Sequence, residues 1–250
     1  MPSFWEKIQV SGQDMDLYTS VPASESHGPG PFPAVVVIHP AGGVAEFTQG
    51  IAGKLAEQGY AAVCPDLFHR ITGPNLTGLD LTDPLAKAGS LKDPEVIADV
   101  NATVDFMLAH SAIDGQRIGI TGFCMGGRVS WLAAAVNPHF KAAAPYYGGN
   151  LMVIRGDAEK SPFELASGIN CPILFHFGEI DANPSQADMR MLDDELTRLG
   201  KPHQFYIYPH ADHAFADHTG PRYHRESAEV SWPRTLEFFA AHLKGAKVTG

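Results

Sequence analysis

The sequence is poor in cysteine, in long apolar runs and in positive charge. Its three cysteines, Cys64, Cys124 and Cys171, stand far apart among 250 residues. Their odd number and spacing exclude a paired disulfide framework and a CxxC metal or dithiol motif, and favour a reducing compartment. No stretch is long and apolar enough to span a bilayer. Met1-Pro2-Ser3-Phe4-Trp5-Glu6-Lys7 has no basic segment leading into an apolar one, so the expected location is the cytoplasm. Lys and Arg number 18 against 28 Asp and Glu, a formal net charge of −10. That balance lacks the electrostatic footprint that nucleic acid or an anionic membrane requires, and the expected partner is a small molecule.

What the chain does have is core. Hydrophobic residues make up 44% of it, enough for one domain over residues 1–250 to bury a substantial interior. From residue 33 onward, apolar runs of strand length alternate with helical patterns, which predicts a parallel sheet covered by helices on both faces. Strands are expected at 33–39, 60–64, 117–123, 141–147, 172–177 and 204–208. Helices are expected at 46–58, 94–110, 124–136, 185–199 and 226–243. Two N-terminal segments, 6–10 and 16–20, flank Ser11-Gly12-Gln13-Asp14 and suit an antiparallel edge hairpin. Residues 66–93 break the rhythm with Gly, Pro, Thr and Asp, which marks a candidate lid or substrate loop, or else a surface loop.

The most informative segment is Gly122-Phe123-Cys124-Met125-Gly126-Gly127, which joins an expected strand to an expected helix. It has the form G-x-C-x-G. In the serine version the nucleophile occupies a sharp strand-to-helix corner, and the flanking glycines avoid collision as the chain reverses. A cysteine there would meet a helix N-terminus whose unpaired N–H groups favour thiolate. Cys64 and Cys171 lack the glycine bracket and read as buried structural residues.

A nucleophile of this kind requires an acid and then a histidine further along the chain. Asp181 follows the expected strand 172–177 in Gly178-Glu179-Ile180-Asp181, and His213 follows strand 204–208 in Pro209-His210-Ala211-Asp212-His213. His213 would take and return the proton, while Asp181 would orient the ring. Glu179 and Asp212 compete as the acid, and His210 competes as the base. The backbone N–H of Met125 is one expected oxyanion donor; Gly42, in His39-Pro40-Ala41-Gly42-Gly43, is the preferred second, with Ala41 its alternative. His210, His213, His218 and His224 fit no zinc spacing, and no metal is expected.

With these residues in place, the chain resembles the dienelactone hydrolase family over nearly its whole length. The matching segments are 122–127, 59–68, Tyr146-Tyr147-Gly148, 176–181 and His213-Ala214-Phe215. The resemblance implies an α/β-hydrolase fold with a mostly parallel sheet of roughly eight strands. It further implies a triad of Cys124, His213 and Asp181 that opens an enol-lactone without metal or organic cofactor.

Two departures bear on activation and specificity. The family's best-known lactonases carry a glutamate that interacts with the thiol after the first central strand; here the chain reads Pro40-Ala41-Gly42, and Glu46 lies further on. Those enzymes also hold the substrate carboxylate with arginines. Around the lid this chain offers Lys87, Lys92 and Arg70, and Asp217 follows Phe215 closely, which predicts poor acceptance of an anionic substrate. Phe68, Arg70 and Tyr147 are the candidate substrate contacts. The expected activity is cleavage of an ester or lactone through a thioester on Cys124. A broad carboxylesterase using the same residues and a noncatalytic small-molecule receptor are the alternatives.

Overall fold

The computed structural model describes residues 1–71 and 82–245. In chain order these form β1 (Ser3–Val10), β2 (Gln13–Ser20), α1 (Ser24–His27), β3 (Phe32–Ile38), α2 (Glu46–Glu57), β4 (Ala61–Pro65), α3 (Pro84–Ser90) and α4 (Asp93–Ala109). They continue with β5 (Ile113–Phe123), α5 (Met125–Val136), β6 (Phe140–Tyr146), a 3-10 turn at Ala166–Gly168, β7 (Ile173–Gly178), α6 (Gln186–Arg198), β8 (His203–Tyr208) and α7 (Arg225–Leu243).

All eight strands lie in one sheet, in the order β1-β2-β4-β3-β5-β6-β7-β8. The β1–β2 and β2–β4 pairs are antiparallel, and every later pair is parallel. This is the α/β-hydrolase architecture expected from the alternation of strand and helix patterns. Because β3 to β8 run in the same direction, their carboxyl ends open on one edge of the sheet, where ligands bind in such folds.

The β3 run shows how the sequence builds both layers. Every one of its residues is buried, as a central strand covered on two faces requires. Ala34, Val36 and Ile38 lie on the face whose buried cluster includes Val100 of α4, Val129 of α5 and Leu192 of α6. Val35 and Val37 point the other way, toward Phe47, Ile51 and Leu55 of α2 and Phe239 of α7. Each fully buried valine contributes about 1.5–3 kcal/mol relative to an exposed one, so the period-2 alternation fixes the register of the strand that leads into the site. Among the described residues no helix is long and apolar enough to cross a membrane.

Two segments differ from the sequence reading. Strand β5 begins at Ile113 rather than Arg117, because Ile113 pairs with Phe32 before the register shifts and Ala34 pairs with Ile118. Within 66–93, the segment 84–90 is helical: Pro84 opens the first turn and the Asp83 carboxylate accepts the Leu85 N–H at 2.9 Å. The expected lid therefore includes a capped helix, while its residues 72–81 lie outside the described residues.

Candidate active site

Cys124 stands between β5 and α5 with φ 59° and ψ −118°. A side chain in that region costs about 1–3 kcal/mol and persists only where its neighbours over-determine it. Here the Cys124 N–H donates to the Tyr146 carbonyl at 3.1 Å, and its own carbonyl accepts from Gly127 at 2.9 Å and Arg128 at 3.2 Å. The glycine bracket is a matter of space. A Cβ on Gly122 would stand 2.2 Å from the Gly126 carbonyl oxygen, and one on Gly126 would stand 2.3 Å from that of Ile38. Both contacts are with backbone, which cannot swing aside.

His213 and Asp181 come from the ends of β8 and β7 to the same point. The Asp181 side chain is 2% exposed. It accepts from His213 Nδ1 at 2.9 Å and from the Asn183 N–H at 2.8 Å, which leaves His213 Nε2 for the sulfur. Burial alone would raise the Cys124 thiol. The hydrogen bond and charge of His213, with the N–H groups of Met125 and Ala41, outweigh it and hold the thiol below its ordinary value. Burial likewise opposes the His213 imidazolium, yet Asp181 and Cys124 together raise the ring to about 10. The arrangement favours a thiolate–imidazolium pair braced by a carboxylate.

The competing groups make other contacts, although Asp212 also lines the cleft. The Glu179 carboxylate accepts the His210 N–H at 2.9 Å, and the His210 side chain is 88% exposed. Asp212 accepts the His213 backbone N–H at 2.7 Å and faces Arg222 at 3.7 Å. Gly42 is exposed; of the two N–H groups weighed for the second donor, that of Ala41 is the one that acts on the sulfur. Glu46 is exposed at the start of α2 and is not among the groups that act on the thiol. Activation of the sulfur thus falls to His213 and backbone N–H groups.

A cleft of about 580 Å³ opens over Cys124 and His213, walled by Leu85 and Ala88 of α3, Arg155 and Ile180. The model of the Dienelactone hydrolase family matches residues 18–243. A "Putative carboxymethylenebutenolidase" of Escherichia coli (strain K12) is 35% identical over 240 residues, covering 93% of this chain and 84% of that one. A "Probable 2-oxo-3-(5-oxofuran-2-ylidene)propanoate lactonase" of Bradyrhizobium sp is 30% identical, covering 97% of this chain and 96% of its own. The crystal structure of a dienelactone hydrolase, itself termed putative, from Klebsiella pneumoniae subsp. pneumoniae MGH 78578 superposes with a TM-score of 0.83 at 32% identity, covering 96% of this chain and 98% of that one. The chain belongs to the dienelactone hydrolase family. It is a hydrolase of the carboxymethylenebutenolidase type, a class that acts on esters or lactones.

For this dienelactone hydrolase family member, the three expected substrate contacts stand outside the cleft wall. Phe68 is buried against the His39 ring, with centroids 4.7 Å apart, and Lys87 Nζ lies 4.9 Å from its own centroid. Arg70 is taken up by the buried Asp99, which also accepts from His69. Tyr147 is buried behind the imidazole, its ring 5.2 Å from that of His213. Lys92 is spent on Glu95 at 3.0 Å, and Asp217 turns back on the Thr219 N–H at 2.9 Å.

The cleft's cations come instead from segments that carry no motif. Arg155, in the connection from β6 to β7, donates to the Ala88 carbonyl at 2.9 Å. Its guanidinium has no carboxylate partner among the described residues, because Asp93 is held by both terminal nitrogens of Arg128. Burial and the neighbouring Arg128 pull the Arg155 guanidinium below its ordinary value. Arg128 also binds the carbonyls of Asn150 at 3.1 Å and Val153 at 2.7 Å. Arg128 and Arg155 thus stand side by side at the wall of the cleft, with the Asp93 carboxylate taken by Arg128.

Proposed function

We propose that this protein hydrolyses an ester or lactone by covalent catalysis at Cys124. The observation that carries the reading is the convergence on one sulfur of the His213 imidazole and the N–H groups of Met125 and Ala41, with Asp181 holding the far side of the ring at 2.9 Å. The thiolate attacks the carbonyl carbon, and the resulting oxyanion accepts from the N–H groups of Met125 and Ala41. As the tetrahedral centre collapses, the C–O bond breaks and His213 Nε2–H gives its proton to the departing alkoxide or enolate oxygen. In a lactone that oxygen stays tethered to the acyl part. His213 then takes a proton from water, the hydroxide adds to the thioester carbonyl, and the acid leaves as the thiolate returns.

The guanidinium of Arg155, without a carboxylate partner among the described residues, supports an acyl part bearing a carboxylate, since a partly buried cation gains most from an ionised partner. This reverses the expectation from the lid lysines and Asp217. The lactone named for the Bradyrhizobium relative is a propanoate and has the same chemistry. A broader carboxylesterase activity on the same residues finds support in the cleft-lining side chains of Leu85 and Ile180, which are 71% and 60% exposed and suit uncharged acyl or alcohol groups. The three free cysteines favour action in the cytoplasm.

A panel of enol-lactones and activated esters, assayed with wild type, Cys124→Ser and Cys124→Ala, tests the nucleophile. Loss of turnover in Cys124→Ala, with an acyl adduct on Cys124 of the quenched wild type by mass spectrometry, is the expected result. Turnover that survives Cys124→Ala refutes it.

A further inference from the structure

His39 is fully buried at the end of β3, immediately before the strap that carries Ala41. Its two ring nitrogens have different tasks. The Leu67 N–H donates to Nε2 at 3.1 Å, so Nε2 carries no proton. The neutral ring therefore bears its proton on Nδ1, which lies 2.7 Å from the Pro40 carbonyl oxygen and donates to it. The same oxygen accepts the Gly43 N–H at 3.0 Å, closing the turn. The Pro40–Ala41 peptide is trans, and in a planar trans peptide the N–H points opposite to the C=O. Two donors that fix the Pro40 oxygen on one side consequently aim the Ala41 N–H to the other, where it meets the Cys124 sulfur.

We infer that His39 is a positioning residue for the oxyanion site: its Nδ1–H holds the Pro40–Ala41 peptide plane so that the Ala41 N–H faces the reacting carbonyl. The inference rests on the reading of Cys124 as nucleophile. The ring also pins the strap to the chain leaving β4, through Leu67, and packs at a tilt against Phe68 with centroids 4.7 Å apart. Phe68, buried against the ring, thereby supports the strap. The peptide needs such support, because Gly42 and Gly43 follow it and a glycine-rich turn permits more than one orientation of its peptide planes.

Asparagine and glutamine separate the two nitrogens of the ring. In His39→Asn, the amide Nδ2 takes the place of Nδ1 and donates to Pro40 while the Leu67 bond is lost. In His39→Gln, the amide reaches the Nε2 position, where its oxygen accepts from Leu67 and the Pro40 donor is lost. Two rates are measured for each, and for His39→Leu: kcat with p-nitrophenyl acetate, and alkylation of Cys124 by iodoacetamide, a displacement that forms no oxyanion.

His39→Gln and His39→Leu are expected to lose on the order of 10- to 100-fold in kcat, the scale of an oxyanion donor that is misaimed rather than deleted. His39→Asn is expected to stay within about threefold of wild type, and alkylation rates to change little throughout. Equal losses in the Asn and Gln variants, better retention in Gln than in Asn, or alkylation falling in step with turnover would each overturn the inference. Nitrogen-15 NMR of His39 in the wild-type protein gives a reading independent of any variant's folding: the Nδ1–H tautomer is required, and an Nε2–H or doubly protonated ring overturns it. Cys124→Ala, run alongside, identifies failure of the nucleophile reading separately, since turnover there would persist whatever the His39 variants do.

Discussion

Replacing His213 by glutamine removes the charge that opposes burial at the sulfur. In the wild type the thiol lies below its ordinary value of 9.0. Cys171 calibrates what burial does without such a partner, for its thiol is pushed up to about 12. Stripped of the imidazole, Cys124 keeps its burial and two backbone N–H groups, so its thiol is expected between those limits.

Each pH unit of rise lowers the thiolate fraction below the midpoint about tenfold. A more basic thiolate is a better nucleophile, with a Brønsted slope of about 0.5 that returns about threefold per unit. The net expectation is alkylation about threefold slower at neutral pH for each unit of rise, with the midpoint displaced upward. Site-resolved mass spectrometry of carbamidomethylation against pH measures both, and Cys64 and Cys171, buried in the fold, serve as silent controls. A midpoint that does not rise in His213→Gln would refute the ion-pair account. The same pair carries a stability signature. A ring raised from 6.5 to about 10 contributes fully below its ordinary value and loses that contribution as pH rises through the raised one. The melting-temperature advantage of wild type over His213→Gln should therefore shrink between pH 6.5 and about 10.

Arg155→Met removes the cleft guanidinium, and a charge-assisted hydrogen bond of about 1.5–3 kcal/mol predicts a roughly tenfold or larger rise in KM for a carboxylate-bearing ester. A neutral ester of the same length serves as the comparison, and an equal rise for both would count against a charge-reading role. Arg70→Ala breaks a pair whose Asp99 side chain is 1% exposed, so unfolding should become easier by about 3 kcal/mol while kcat/KM holds, because Arg70 lies off the cleft. Chemical denaturation and steady-state rates test both halves.

The strand-turn-helix context of Cys124 and the order acid then histidine were legible because each depends on residues close in sequence: a glycine bracket, a strand end, a following helix. The choice between Ala41 and Gly42 was not, since both belong to one short turn and only the direction of a peptide plane separates them. Arg155 escaped notice for a different reason. It lies in an irregular connection without periodicity or motif, and it reaches the cleft only because Arg128, in the second turn of α5, gathers the carbonyls of Asn150 and Val153. Arg70 misled in the opposite way, as its proximity to the lid in sequence concealed a partner, Asp99, well along in α4. The helix at 84–90 had readable signals in Asp83 and Pro84, but a seven-residue helix is too short for periodicity to declare itself.

The wall that holds Arg155 and the corner that holds Cys124 are anchored to a single rod. Arg128 lies four residues after the cysteine on α5, and through Asp93 and the 150–153 carbonyls it fastens the approach to Arg155. The sulfur and the Arg155 backbone are therefore tied to one helix, a frame that would serve an anionic acyl chain as a ruler. Among anionic acyl chains such a ruler selects by span: one too short or too long to place its carbonyl over the sulfur while its charge meets the guanidinium is bound out of reach of attack. Discrimination of that kind appears in kcat more than in KM, and a series of dicarboxylic monoesters differing by single methylenes would give a peaked profile rather than a steady trend.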